Sequence, residues 1–170
     1  MSENAVLHEV VELERTFDAP IDLVWDMWTK GEHFKNWYGP KGLKIPVAEM
    51  DVRVGGKRLV CMEVPTPNGP MKSWLTGEYR EVTPKTRLVY TDTFADENGN
   101  AMTMQAAGVS TDDYPEVTEV TVLLEDLGGS TKVTLKHAGL PDGDAGTKGA
   151  KFGWSQSFTK MAEYMPTVAA

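Results

Sequence analysis

The chain has 170 residues, 41% hydrophobic and 25% charged, with a formal net charge of −8. A chain of this length fits one domain that buries enough surface to fold without staples, and its acidic balance disfavours nucleic acid and anionic membranes as partners. No apolar run approaches the ~20 residues of a membrane span, and with Cys61 as the single cysteine no internal disulfide can form, which fits a reducing cytosol.

Residues 6–17 alternate, with Leu7, Val11, Leu13 and Phe17 on one face and His8, Glu12, Glu14 and Thr16 on the other. That pattern predicts a half-buried strand. No basic segment followed by an apolar stretch precedes it, so no signal peptide is expected and the expected compartment is the cytoplasm. Asp18 and Pro20 then start a helix over 21–28, with Ile21, Val24, Trp25 and Trp28 on one face. Residues 32–38 read as a second short helix, ended by Gly39, Pro40 and Gly42. Strands follow over 43–52, 57–64, 71–82 and 87–94, punctuated by Gly55 and Gly56, by a loop rich in proline, and by Pro84. Residues 95–116 look irregular, and a loop this long is either mobile or functional. Strands over 117–125 and 131–137 pair as a hairpin across Gly128 and Gly129. A turn over 140–146 leads to a helix over 147–165, with Ala150, Trp154, Phe158, Met161 and Met165 along one face. The last five residues are expected to fray. Seven strands joined mostly by connections too short for helical crossovers make an antiparallel sheet in an α+β domain.

Charged residues that share a face with apolar ones stand out, because a buried charge must be paired. Arg15 alternates with Leu13 and Phe17, while Glu49 and Asp51 alternate with Leu43, Ile45 and Val47. Either Arg15 pairs with Asp51 or Glu49 inside the concave face of the sheet, or these side chains sit near strand ends and reach water. His137 shares a side with Thr131, Val133 and Leu135, which places it at a cavity mouth. It has no visible partner for a triad or metal site and reads as a satisfied or solvent-edge histidine. His8 and His33 are isolated. Asp92, Glu49, Tyr79, Tyr90 and His137 could each move a proton, but nothing in their spacing selects one, so no catalytic residue is singled out. Cys61 reads as a small core hydrophobe with no cation beside it to activate it. No metal motif or phosphate loop is present, so no metal or cofactor is expected. Nine methionines and five tryptophans are many for this length. Met62, Met71, Trp74, Met102, Met104, Trp154, Met161 and Met165 either line an adaptable apolar pocket or simply fill a core.

Several of these segments together resemble a family. Phe17-Asp18-Ala19-Pro20 leading to Val24-Trp25, then Trp37-Tyr38-Gly39-Pro40, is similar to the family's opening. Glu49-Met50-Asp51-Val52-Arg53 with Gly55-Gly56, Gly77-Glu78-Tyr79, Arg87-Leu88-Val89-Tyr90-Thr91-Asp92 and Gly153-Trp154-Ser155-Gln156-Ser157 continue the likeness. The chain resembles, over about residues 6–165, the bacterial homologues of the C-terminal domain of the heat-shock chaperone ATPase activator. They belong to the START-like superfamily of helix-grip folds, with polyketide cyclases and lipid-transfer domains. The resemblance implies a seven-stranded curved antiparallel sheet wrapped around a long C-terminal helix, two short helices after the first strand, and one domain over 1–170. It also implies a hydrophobic cavity, here expected to be bordered by Met62, Trp74, Tyr90, His137, Trp154 and Phe158. Three functions follow: a binding protein for a small apolar molecule, an enzyme of the cyclase or hydrolase kind, or a stress-related chaperone partner. The eukaryotic activator's separate chaperone-binding domain has no room in this chain, which argues against the third. Homodimerisation is left open.

Overall fold

The structure is a computed structural model that describes residues 10–102, 117–140 and 147–169. Expectations for residues 6–9, for Met104 and the rest of 103–116, and for 141–146 lie outside the described residues. In chain order the elements are β1 (Val11–Phe17), α1 (Ile21–Thr29), α2 (Gly31–Phe34), β2 (Lys44–Met50), β3 (Lys57–Val64), β4 (Met71–Thr83), β5 (Arg87–Ala95), β6 (Thr118–Asp126), β7 (Thr131–Ala138) and α3 (Thr147–Ala169). They build one seven-stranded sheet in the order β1-β7-β6-β5-β4-β3-β2, antiparallel throughout. The sheet curls into a half-barrel around α3.

β1 and β2 are consecutive strands at opposite edges of the sheet, and α1 with α2 carries the chain from one to the other. α1 starts on Pro20, whose extended backbone (φ −69°, ψ 154°) leaves its carbonyl to accept from the N–H groups of Leu23 and Val24, both at 3.1 Å. The proline ring fixes φ near the helical value, so no side-chain cap is needed to set the entry angle. The helix buries Val24, Met27 and Trp28. Trp28 meets Trp37 edge-on at 4.7 Å and Phe158 at 6.2 Å, and Phe158 meets Phe17 at 5.6 Å. This aromatic layer joins both short helices and β1 to α3. The Trp37 indole N–H donates to the carbonyl of Met27 at 3.0 Å, so its burial leaves no polar atom unpaired. On α3, Trp154, Ser157, Phe158, Met161 and Met165 are buried; of the face expected from helical spacing only Ala150 is merely half-buried, and Ser157 is added.

Three expectations need correction. α3 does not end at 165 but runs through Pro166 to Ala169. The proline cannot donate to the preceding turn, yet its φ suits a helix and the Thr167 hydroxyl donates to the Tyr164 carbonyl at 2.7 Å. Arg15 does not meet Asp51 or Glu49. Its strand and theirs lie at opposite edges, and it instead donates to the Thr159 hydroxyl at 3.1 Å, its guanidinium 5.5 Å from the Phe17 ring centroid. Asp51 pairs at the surface with Arg53 at 2.8 Å. The face assignment of β2 failed because its register shifts between Lys44 and Val47. A bulge there reverses the alternation, so Ile45, Ala48 and Met50 pack toward the core and Glu49 is exposed.

Candidate functional site

A cavity of about 350 Å³ lies between the sheet and the N-terminal half of α3. Its walls come from the loop after α2 (Tyr38, Gly39, Pro40), from Met62 on β3, Leu75 on β4, Asp92 and Phe94 on β5, Thr118 on β6 and His137 on β7. α3 closes it with Gly149, Ala150, Gly153, Trp154 and Ser157. The composition of α3 explains why space remains here. Toward its C-terminus the inward face carries Phe158, Met161 and Met165, which fill the half-barrel. One turn before Trp154 the same face carries only glycine and alanine, and nothing reaches across to the sheet. A side-chain carbon added at Gly153 would come no nearer than 3.7 Å to Pro40.

The loop that forms one wall is tied to α3 by side chains from a single stretch of the helix. The Ser157 hydroxyl accepts from the N–H of Gly39 at 2.9 Å and donates to the Gly153 carbonyl at 2.9 Å. The Gln156 side-chain carbonyl accepts from the N–H of Lys41 at 2.9 Å. Lys160 donates to the carbonyls of Tyr38, Gly39 and Pro40 at 3.2, 3.1 and 3.3 Å. Burial pushes the Lys160 ammonium below its ordinary pKa, and three carbonyls replace the water it gives up.

His137 is held from both sides. The Trp154 indole N–H donates to Nδ1 at 3.1 Å, and Nε2 lies 2.9 Å from the Thr118 hydroxyl. An indole nitrogen can only donate, so Nδ1 is unprotonated and the neutral ring carries its proton on Nε2. That proton goes to Thr118, whose hydroxyl in turn donates to the backbone carbonyl of Asp92 at 3.3 Å. Burial lowers the His137 pKa to about 4, so the imidazole is neutral near pH 7.

Asp92 forms a buried ion pair with Arg58, 2.6 Å from Oδ1 to Nη1, with only 1% of the arginine side chain and 8% of the aspartate side chain exposed. The guanidinium lies 4.0 Å from the Tyr90 ring centroid and 5.4 Å from that of Phe34, so aromatic faces replace much of its hydration. Burial raises the Asp92 pKa against the opposing pull of Arg58. A neutral Asp92 would leave a dry guanidinium without a counter-charge, and that cost keeps the pair ionised near pH 7. Burial, helped by the charge of Asp92, also raises the Tyr38 hydroxyl above its ordinary pKa, so it stays protonated.

Of the six expected cavity residues, the structure brings Met62, His137 and Trp154 to the wall. Tyr90 is buried beneath it, under Arg58, and Phe158 is buried one turn further along α3 in the aromatic layer. Trp74 lies on the other face of the sheet. Val60 pairs with Leu75 and Met62 with Ser73, which puts Leu75 on the cavity side and turns Trp74 away, beside Cys61 and Ala95. Sequence reasoning missed Arg58, although it alternates with Val60 and Met62, the same signal that singled out Arg15. It also missed Thr118, Ser157 and the small residues of α3. Among the described residues no group of three His, Cys, Asp or Glu could hold a metal ion. A wider groove of about 830 Å³ on the outer face of β3 to β5 carries Glu49, Asp51, Lys57, Glu78 and Arg80, charged surface side chains among which Lys57 pairs with Glu78 at 3.1 Å and Asp51 with Arg53 at 2.8 Å.

A curled antiparallel sheet gripping one long helix, with a walled cavity between them, defines a helix-grip protein. The sequence profile of the family described as "Activator of Hsp90 ATPase homolog 1-like protein" matches residues 18–166, and the chain belongs to that family. Among solved structures, a protein from Chromobacterium violaceum is 25% identical with a TM-score of 0.74, covering 92% of this chain and 96% of that one. A protein from Nitrosomonas europaea is 24% identical with a TM-score of 0.70, covering 98% and 99%. The AHSA1 protein of Silicibacter pomeroyi is 20% identical with a TM-score of 0.72, covering 94% and 99%. The last two likenesses concern the fold alone. Among curated proteins none matches.

Proposed function

We propose that this protein binds a small, largely apolar molecule in the cavity between α3 and the sheet. The observation that carries the reading is the wall itself: Met62, Leu75, Phe94, Ala150 and Trp154 enclose about 350 Å³, within the size range of small-molecule sites. The groups best placed for proton transfer are already engaged, both nitrogens of His137 by Trp154 and Thr118, and Asp92 by Arg58. Binding rather than acid–base chemistry is what this arrangement favours. A neutral hydrophobic probe, N-phenyl-1-naphthylamine, should raise the melting temperature and change the fluorescence of Trp154. Ala150→Phe, which fills the cavity from α3, should abolish both effects while the protein stays folded. A probe that changes neither signal, or one that binds the Phe variant equally well, refutes the proposal.

A further inference from the structure

We infer that the ligand of this cavity carries an uncharged O–H or N–H donor on its apolar body and that the Asp92 carboxylate receives it. The inference rests on the reading of the cavity as a binding site and concerns which molecules that site accepts.

It follows from an inventory of the polar atoms on the wall. The Trp154 N–H is spent on His137, and the Nε2 proton of His137 is spent on Thr118. Thr118 donates to the Asp92 carbonyl, and Ser157 donates to Gly153. These four donors are committed within the wall, and the protonated Tyr38 hydroxyl is a further wall donor that feels the Asp92 charge. Asp92 differs. An ionised carboxylate has about four lone-pair sites, and Arg58, which does not line the cavity and whose side chain is almost wholly enclosed, takes Oδ1. Asp92 therefore brings charged acceptor capacity to the wall.

Charge narrows the class further. Among the described residues lining the cavity there is no cation. Arg58 lies behind Asp92, and Lys160 is turned to three loop carbonyls. A ligand carboxylate would enter a mostly apolar space without a counter-charge and beside a negative one, which costs far more than the apolar contacts return. A ligand cation would meet a carboxylate whose charge Arg58 already balances, leaving one buried positive charge in excess. A neutral donor escapes both penalties and gains a charge-assisted hydrogen bond.

Four ligands of one ring size separate the cases: naphthalene, 2-methoxynaphthalene, 2-naphthol and 2-naphthoate, titrated into the wild-type protein and followed by Trp fluorescence and calorimetry. The expected order places 2-naphthol about ten-fold or more tighter than 2-methoxynaphthalene, the difference a hydrogen bond to a charged group makes, with 2-naphthoate the weakest. Intermolecular NOEs should place the hydroxyl-bearing edge of 2-naphthol at the Thr118 methyl, beside Asp92, and away from Ala150. Equal affinities for 2-naphthol and 2-methoxynaphthalene overturn the inference while leaving cavity binding intact. So does tight 2-naphthoate binding, or NOEs that place the hydroxyl at α3. If none of the four binds, the inference fails together with the binding reading beneath it.

Discussion

Acidification should weaken the fold through one histidine. The His137 pKa falls from an ordinary 6.5 to about 4 in the folded chain. The cause is burial of a ring that accepts from Trp154 and donates to Thr118. Between those two pH values the unfolded chain binds the proton and the folded chain does not, so stability rises with pH across the window and is lost as pH falls through it. The whole shift corresponds to about 3 kcal/mol, and about 2 kcal/mol of it should be lost between pH 7 and pH 5. Protonating Nδ1 would also set it against the indole donor of Trp154, which can accept nothing in return. The check is urea denaturation at several pH values, with His137→Gln alongside. The amide of glutamine can both accept and donate but does not titrate, so the variant should lack this part of the pH dependence. The difference between the two proteins isolates His137 from every carboxylate on the surface. Proton NMR gives the direct reading: the imidazole resonances should not titrate above pH 5. If they titrate near pH 6.5, or the variant loses stability on acidification as steeply as the wild type does, the neutral, doubly held ring is wrong.

Phe158→Ala removes the ring that joins Phe17, Trp28 and Trp154 and should cost about 3–5 kcal/mol in chemical denaturation. Gly77→Ala places a carbon 1.8 Å from the Thr91 carbonyl oxygen of the neighbouring strand. Backbone cannot step aside there, so the variant should lose about 3 kcal/mol, and a stability within half a kcal/mol of wild type would show that β4 and β5 part easily. Asp92→Ala strands the Arg58 guanidinium and should cost roughly 3–5 kcal/mol. Adding Arg58→Met to an Asp92→Leu background should recover most of that loss, measured as a double-mutant cycle.

The succession of elements along the chain and the gripping face of α3 could be read from the sequence because each depends on local pattern. Turn residues bounded the strands well enough that β3 fell at 57–64 as expected, and Trp154, Phe158, Met161 and Met165 followed a simple helical repeat into the core. The buried ion pair could not be read the same way. Arg58 alternates with Val60 and Met62 and so could have been marked as inward, but choosing its partner requires knowing which strands are neighbours. The residues chosen instead belong to strands at opposite edges of the sheet. The β2 bulge hid a change of face that no periodicity announces. Trp74 was misplaced for a different reason: its size suggested a cavity wall, while the alternation of Leu75, Gly77 and Tyr79 already put it on the far face. The cavity itself was expected from the resemblance, but its position is set by residues too small to attract notice.

That division of labour along α3 has a consequence for how such proteins diversify. Fold stability is concentrated in the aromatic and methionine half of the helix, while the volume of the cavity is set by positions 149, 150 and 153, which contribute little packing of their own. Larger side chains at those three places would shrink the interior stepwise without disturbing the layer that Trp28, Phe17 and Phe158 form. Chains whose sheets superimpose can therefore enclose chambers of different size, and an engineer could retune the chamber from one short segment of helix while leaving the rest of the chain untouched.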